Sequence, residues 1–267
     1  MALPNFIGIG AQRAATTWLH KCLSEHPEVF VSEQKELNFF DHHFGEGLPW
    51  YERPFAGSDG RKAVGEVTPS YMYDATAIRR MAEIVPGARL FVVLREPISR
   101  AHSAYQLHAD HYPGMGFWDA CRKAEDYLVG WSLYADAMAR LYEHFPREQV
   151  RVYLYEDIRQ SAEGVLSDLF GFLGVDAAFA APSAGKIYNR SVFPEAQKML
   201  SRMRLGWSVA LLKKTPLAEA VKDIHKSRES REDAGIRSTC PEDLRARFRD
   251  DVGRLEGIIG RDLSRWK

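Results

Sequence analysis

The stretch "FIGIGAQRAATTWLHKCL" (Phe6–Leu23) constrains the fold more than any other part of the chain. A five-residue apolar run ends in Gly10, and a loop of small and polar residues follows. Trp18, Leu19, Cys22 and Leu23 then share one face of a helix that Pro27 stops soon after His26. Strand, loop and helix N-terminus in that order make a general phosphate-holding device. Free backbone N–H groups and the positive end of the helix dipole converge on the anion. The nucleotide-triphosphatase version requires Gly, four residues, then Gly-Lys and Ser or Thr. Here Ala15 takes the second glycine position, Thr16 the lysine position and Thr17 the last one. The missing cation is replaced by Arg13, one turn earlier. Thr16 and Thr17 are both placed to cap the helix and to donate hydroxyls to a phosphate oxygen. The competing reading is a buried strand and an ordinary capped helix, with Arg13 in solvent.

Further apolar runs follow at Lys62–Val67, Arg89–Leu94 and Val150–Tyr155. The last two are almost continuous, as expected of strands buried on both faces. Helical patterns lie between them. Ala75–Val85 stops before a Pro-Gly turn signal, and Pro97 suits the first turn of a helix carrying Ile98, Ala101, Tyr105 and His108 on one side. Leu166, Leu169, Phe170 and Leu173 form another stripe closed by Gly174. This alternation predicts an α/β fold with a central parallel sheet flanked by helices. After Gly174 the strand signals cease. Glu195–Lys214 reads as a basic helix and residues 216–240 as a mobile loop. A last helix carries Leu244, Phe248, Val252, Leu255 and Ile259 on one face. At 267 residues, one domain over 1–267 is the simplest organisation.

Three more stretches carry chemistry. In "LREPISRAHSAY", Arg95 ends a strand, where open α/β sheets bind ligands, and Ser103 lies about two helical turns on. The two can grip one phosphate, or Arg95 can pair with Glu96 and Ser103 face solvent. In "SEQKELNFFDHHF" (Ser32–Phe44), after a short "VFV" run, Phe39 and Phe40 can anchor a segment presenting Glu36 beside Lys35. An anchored carboxylate near an anion site is a candidate general base, and an exposed ion pair is the plain alternative. His42 and His43 are adjacent and have no evident acidic partner set, so no metal site is expected. In "GEVTPSYMYD" (Gly65–Asp74), Glu66 and Ser70 either line the same cleft or form a structural corner.

Formal net charge is +0, so no global field draws the protein to nucleic acid or a membrane, and any anion must meet a local cationic cluster. There is no run of about 18 apolar residues, so no stable membrane insertion is expected. The three cysteines, Cys22, Cys121 and Cys240, are odd in number and far apart. They fit a reducing compartment, and "MALPNFIGIG" reads as the first strand, so a cytoplasmic location is expected.

Taken in order, these stretches resemble the sulfotransferase family that uses 3′-phosphoadenosine 5′-phosphosulfate (PAPS). Within it, the chain is similar to the heparan-sulfate-type and bacterial carbohydrate or metabolite branch. The resemblance extends to "LYEDI" (Leu154–Ile158) and "LEGIIGRDLSRW" (Leu255–Trp266). It implies a P-loop-like single domain. It also implies a 5′-phosphosulfate loop at Gln12, Arg13, Ala14, Ala15, Thr16, Thr17 and Trp18, and a 3′-phosphate site at Arg95 and Ser103. By the same resemblance Arg13 is catalytic and Glu36 is the base. Lys186, Asn189 and Arg190 close over the nucleotide. Glu66, Ser70 and His42 are placed to contact the acceptor. The reaction implied moves a sulfuryl group to a hydroxyl, or an amine, of a carbohydrate, lipid or small metabolite, leaving adenosine 3′,5′-bisphosphate (PAP), with no metal. The partner expected is thus a glycan or small-molecule acceptor.

Four departures from the family pattern stand out. Arg13 replaces the commonest lysine, Ala14-Ala15 replaces glycine, Val67 stands where heparan-sulfate enzymes carry lysine, and Asn38 where they carry histidine. The rival readings are a nucleotide or small-molecule kinase, against which Thr16 in the lysine position argues, and a non-catalytic nucleotide-binding module.

Overall fold

The computed structural model describes residues 3–185 and 234–267. Residues up to Ile187 and from Glu242 form one compact unit; 188–241 form a second, of which only 234–241 are described, with 234–238 helical. The expected basic helix Glu195–Lys214 and most of the expected loop 216–240 lie outside the described residues.

The elements run β1 (Phe6–Gly10), α1 (Thr16–Glu25), β2 (Val29–Val31), α2 (Leu48–Glu52), β3 (Ala63–Val67), α3 (Ala75–Ile84) and β4 (Arg89–Leu94). Next come α4 (Pro97–Leu107), α5 (Phe117–Lys123), α6 (Ala135–His144), β5 (Val150–Leu154), α7 (Tyr155–Gln160) and α8 (Ala162–Leu173), and later a long helix, Glu242–Ile259. All five strands are parallel, in the order β2-β3-β1-β4-β5. The four long apolar runs of the sequence are strands. The fifth strand, β2, is only three residues, too short for its "VFV" to stand out by pattern. Tyr155 opens α7 instead of ending β5.

β1 and β3 are buried along their whole length, and β4 from Leu90 on. That follows from helices covering both faces of a parallel sheet. The tight approach of β1 and β3 depends on Gly65. A methyl group there would strike the Phe6 carbonyl oxygen and ring. Asp74 caps α3 by accepting from the Thr76 and Ala77 amides (2.7 and 3.2 Å). Glu96 caps α4 by accepting from Ile98 and Ser99 (3.1 and 2.8 Å). Asp251 of the last helix accepts from the Tyr134 amide (2.7 Å), fixing that helix against the start of α6.

Gly65→Ala is expected to lose about 1–3 kcal/mol or more, because the obstacle is backbone and cannot rotate away. Urea denaturation checks this; a loss below about 0.5 kcal/mol would contradict the close packing of β1 on β3.

Candidate active site at the C-terminal edge of the sheet

β1 and β4 are neighbours, but the chain leaves them in opposite directions, toward β2 at one edge and β5 at the other. The loops therefore part and open a crevice beyond the C-terminal ends of the two strands, the usual ligand position in such sheets. The β1 loop is tied to β4 by the Ala11 amide on the Val93 carbonyl (2.7 Å). Arg13 (φ 72°) and Ala15 (φ 64°) both sit in the left-handed region. For L-residues this costs roughly 1–2 kcal/mol each, the kind of strain that collects at functional loops.

Ala15, not a threonine, is the N-cap of α1, and no side chain caps it. The expectation that Thr16 and Thr17 cap the helix is therefore corrected. Thr16 is the first helical residue and buried, while Thr17 is exposed. The Trp18 amide turns back onto the Ala15 carbonyl (3.0 Å), and no side chain caps the Thr16 and Thr17 amides before it.

Three side chains expected to act together do meet. Arg13 Nε donates to Ser103 Oγ (3.0 Å), leaving the serine proton free for another acceptor. Arg95, 7% exposed, reaches the Arg13 carbonyl oxygen with Nη1 (3.5 Å) and lies over the Tyr155 ring (4.7 Å). Behind them Arg100 is fully buried. Its Nη2 donates to the Tyr127 carbonyl (2.7 Å), while Nε and Nη1 have no hydrogen-bond partner among the described residues. Burial, and then the charges of Arg95 and Arg100, hold the Arg13 guanidinium below its ordinary range. Among the described residues no carboxylate pairs with Arg13. The crevice is thus a cluster of cations that a multiply charged anion would relieve.

Facing it is the loop after β2. The Glu36 side chain is 43% exposed and pairs with Lys35 Nζ (2.5 Å). Glu36 and Asn38 both have positive φ (63° and 53°). The Glu36 amide is held by the Val67 carbonyl (3.1 Å), and its carbonyl accepts from Asn38 Nδ2 (2.9 Å).

Several expected contacts fall elsewhere. Glu66 has no exposed surface and takes hydrogen bonds from Tyr51 Oη (2.5 Å), Thr68 Oγ1 (2.6 Å) and Tyr71 Oη (3.3 Å). It cannot touch an acceptor as placed, because β3 carries it inside the sheet. Trp18 is 1% exposed, its indole donating to the Ser183 carbonyl (3.0 Å), so its side chain is core and not nucleotide contact. Ala14 is buried too, leaving only its backbone to the loop. Ser70 is half-buried and bonded to Asp41 Oδ2 (2.6 Å), and the His42 side chain is 73% exposed. Lys186, Asn189 and Arg190 lie outside the described residues.

Two site residues were not singled out from sequence. Tyr127, in a π-helical turn (Glu125–Val129), donates to Gln12 Oε1 (2.6 Å) and so ties the phosphate loop to a distant segment. Arg13 and Glu36 both act electrostatically on its phenol, which burial pushes up. No local pattern marks a tyrosine whose partner is 115 positions away. Asp41, by contrast, closes the "KELNFFD" run directly after the buried Phe39 and Phe40, which anchor it beside Ser70.

The parallel sheet, with the β1 loop and a cluster of arginines at the C-terminal ends of its central strands, defines a P-loop-like α/β protein. More closely, residues 3–253 match the sulfotransferase domain family, and the chain belongs to it. A crystal structure of a sulfotransferase from Alicyclobacillus acidocaldarius superposes with a TM-score of 0.73 at 28% identity, covering 100% of this chain and 99% of that one. Human heparan sulfate glucosamine 3-O-sulfotransferase 3B1 is 29% identical over 182 residues, 65% of this chain and 46% of that protein. Membrane-associated sulfotransferase kil1 of Dictyostelium discoideum is 32% identical over 110 residues, 40% of this chain and 23% of that protein. The chain thus spans less than half the length of these two curated relatives. Among the described residues no helix is long and apolar enough to cross a membrane.

Burial raises the Glu66 carboxyl from its ordinary 4.5 to about 7, against the three hydroxyl donors. The sign follows from linkage: the folded state holds this proton more tightly, so stability falls as pH rises from about 4.5 through about 7 and is flat above. The stability of wild type minus that of Glu66→Gln, from urea denaturation, is expected to fall by about 3 kcal/mol across that window. A difference that does not change with pH would refute it.

Proposed function

We propose that the protein moves a sulfuryl group from PAPS to a hydroxyl of a carbohydrate, lipid or small-metabolite acceptor, an amine being the lesser alternative. The family uses PAPS. The observation that carries the reading is the 3.0 Å contact between Arg13 Nε and Ser103 Oγ, which joins the β1 loop to the β4 helix with Arg95 beside them. A ligand bearing phosphate groups at both its 5′ and 3′ positions matches two such loops side by side. A nucleoside triphosphate does not, since its charges lie on one end and its metal needs the lysine that Thr16 replaces.

In the proposed reaction the acceptor oxygen bonds to sulfur as the bond from sulfur to the 5′-phosphate oxygen breaks. The bonding pair stays on that phosphate oxygen, and the acceptor proton passes to the Glu36 carboxylate. PAPS supplies the activated sulfuryl group. Arg13 stabilises charge on the departing oxygen, helped by the Thr17 hydroxyl and the first-turn amides of α1. Arginine keeps its proton and donates in a fixed fork, which suits a leaving group that needs charge stabilisation and no protonation. Arg95 and Ser103 hold the 3′-phosphate, and Gln12 is fixed by Tyr127. Lys35 Nζ holds the Glu36 carboxylate by a hydrogen bond (2.5 Å). Lys186, Asn189 and Arg190 are proposed to close over the nucleotide, and His42 and Ser70 to border the acceptor.

Radiolabelled transfer from PAPS to a panel of glycans and extracts, with products identified by mass, tests the reading directly. Magnesium-dependent ATP turnover in place of sulfate transfer would favour the kinase alternative. Glu36→Gln is expected to lower kcat about 10²–10⁴-fold with PAP affinity intact. Arg13→Ala should depress kcat far more than PAP binding; an unchanged kcat removes it from the mechanism. By calorimetry, Arg95→Ala should weaken PAP binding at least about ten-fold yet barely alter binding of adenosine 5′-monophosphate. Equal losses for both nucleotides would refute the 3′-phosphate role.

A further inference from the structure

We propose that the buried Glu66–Tyr71 pair is the positioning device of the base loop, holding Glu36 at the crevice without touching substrate. The inference rests on the assignment of Glu36 as the base.

The loop cannot hold itself. Glu36 and Asn38 are non-glycine residues with φ of 63° and 53°. Such residues persist in that region only where their surroundings fix them. Beside the loop's own bonds and Arg80 Nη1 on the Phe40 carbonyl (2.6 Å), the contacts on Glu36, Phe39 and Asp41 come from the end of β3 and just after it. The Glu36 amide bonds to the Val67 carbonyl (3.1 Å). Ser70 Oγ lies 2.6 Å from Asp41 Oδ2 and 3.2 Å from Asn38 Oδ1. The central contact is Tyr71 Oη, which accepts from the Phe39 amide at 2.8 Å and, at longer range, from the Phe40 amide (3.4 Å).

A phenol has one proton and two lone pairs. With the Phe39 and Phe40 amides occupying its acceptor side, the Tyr71 proton faces Glu66 and Thr68, which are themselves hydrogen-bonded (2.6 Å). It points to Glu66 Oε1 at 3.3 Å. Glu66 therefore decides which way Tyr71 faces. Glu66 is fixed in turn by Tyr51 Oη on the same oxygen (2.5 Å) and Thr68 Oγ1 on the other (2.6 Å). The rings extend the clamp: Tyr51 stacks on Phe39 (4.2 Å, 9°), and Tyr71 meets Phe40 edge to face (5.4 Å). Glu66 is fully buried, and among the described residues no cation pairs with it. The Asp41 carboxylate nearby makes its charge harder to hold. A buried carboxylate without a cation is a poor source of stability compared with an apolar residue of its size. Its use here is directional: it orients three hydroxyl groups, one of which holds the loop that carries the base. Glu66 thus acts on the reaction through Tyr71 and the 36–41 backbone.

The test uses the full chain with Glu66→Gln, Tyr71→Phe, Glu36→Gln and the double variant Glu36→Gln/Tyr71→Phe. Tyr71→Phe is isosteric and keeps the test open if Glu66→Gln does not fold. Amide hydrogen exchange by mass spectrometry should rise about ten-fold over 36–41 in Glu66→Gln and Tyr71→Phe, the loss of about one hydrogen bond. Exchange over 10–19 and the Kd for PAP should stay within about two-fold. Transfer from PAPS to a desulfated heparan oligosaccharide should lose about 10²-fold in kcat with KM for PAPS unchanged, as expected when a catalytic group is displaced by about 1 Å. Tyr71→Phe should cost nothing more in the Glu36→Gln background, because both changes act on one group. Unchanged exchange over 36–41 overturns the proposal, as does a rise spread evenly over the chain or an additive double variant. A fully active Glu36→Gln enzyme removes the base assignment instead, and the exchange data then stand or fall separately on the anchoring.

Discussion

Two parallel strands that share hydrogen bonds but send the chain to opposite edges leave a gap between the loops that follow them. Everything distinctive about this protein is arranged around that gap. The strands themselves are buried and apolar, so polar chemistry has only their C-terminal ends to occupy. Into that opening β1 sends Arg13 and β4 sends Arg95, with Arg100 and Ser103 about one and two turns along α4. Like charges gathered in a half-buried site repel, and the lowered Arg13 proton affinity reflects burial first and then that repulsion. Such a cluster is stable in the free protein only because the sheet and α4 hold its members. It becomes favourable when an anion with several charges enters.

The opposite wall is built on different terms. The loop bearing Glu36 meets the end of β3, where the fixed points are hydroxyl groups and a backbone carbonyl, with the Arg80 guanidinium of α3 on the Phe40 carbonyl (2.6 Å). One half of the site is therefore a charge cluster, and the other is a hydrogen-bonded clamp around a single exposed carboxylate. The separation has a physical logic. A base needs its carboxylate free of the arginines, since direct pairing would hold its proton affinity too low. The cation that does pair with it, Lys35, belongs to the same loop and not to the arginine cluster.

The sheet was legible because buried parallel strands leave continuous apolar runs, and the phosphate loop because strand, loop and helix are adjacent in sequence. Arg95 and Ser103 were legible for the same reason, lying eight positions apart on a strand end and one helix. What sequence could not resolve was direction. Glu66 and Trp18 fell inside stretches read as site, yet their side chains point into the core, and a motif of mixed polar and apolar residues does not say which face is inward. Nor could it give contacts across long separations. Tyr127 reaches Gln12, and Tyr71 reaches Phe39, through folds of the chain that no local spacing encodes. The capping assignment failed for a subtler reason: Ala15 in a left-handed turn ends the loop one residue early, so the threonines enter the helix instead of preceding it.

That turn also explains why arginine, with its long reach, suits position 13. With Arg13 at φ 72° and Ala15 at φ 64°, the side chain leaves the backbone from an uncommon angle, and α4 lies across its path. A guanidinium can meet this geometry because Nε donates to Ser103 while its two terminal nitrogens, in the same plane, carry further donors. A lysine has one nitrogen, and bonding it to Ser103 would turn its charge toward the helix. Arginine thereby both latches the β1 loop to α4 and leaves charge facing the crevice. In the proposed reaction the same latch sets the residues assigned to the 5′ and 3′ ends of PAPS side by side, so a ligand gripped at one end is registered at the other.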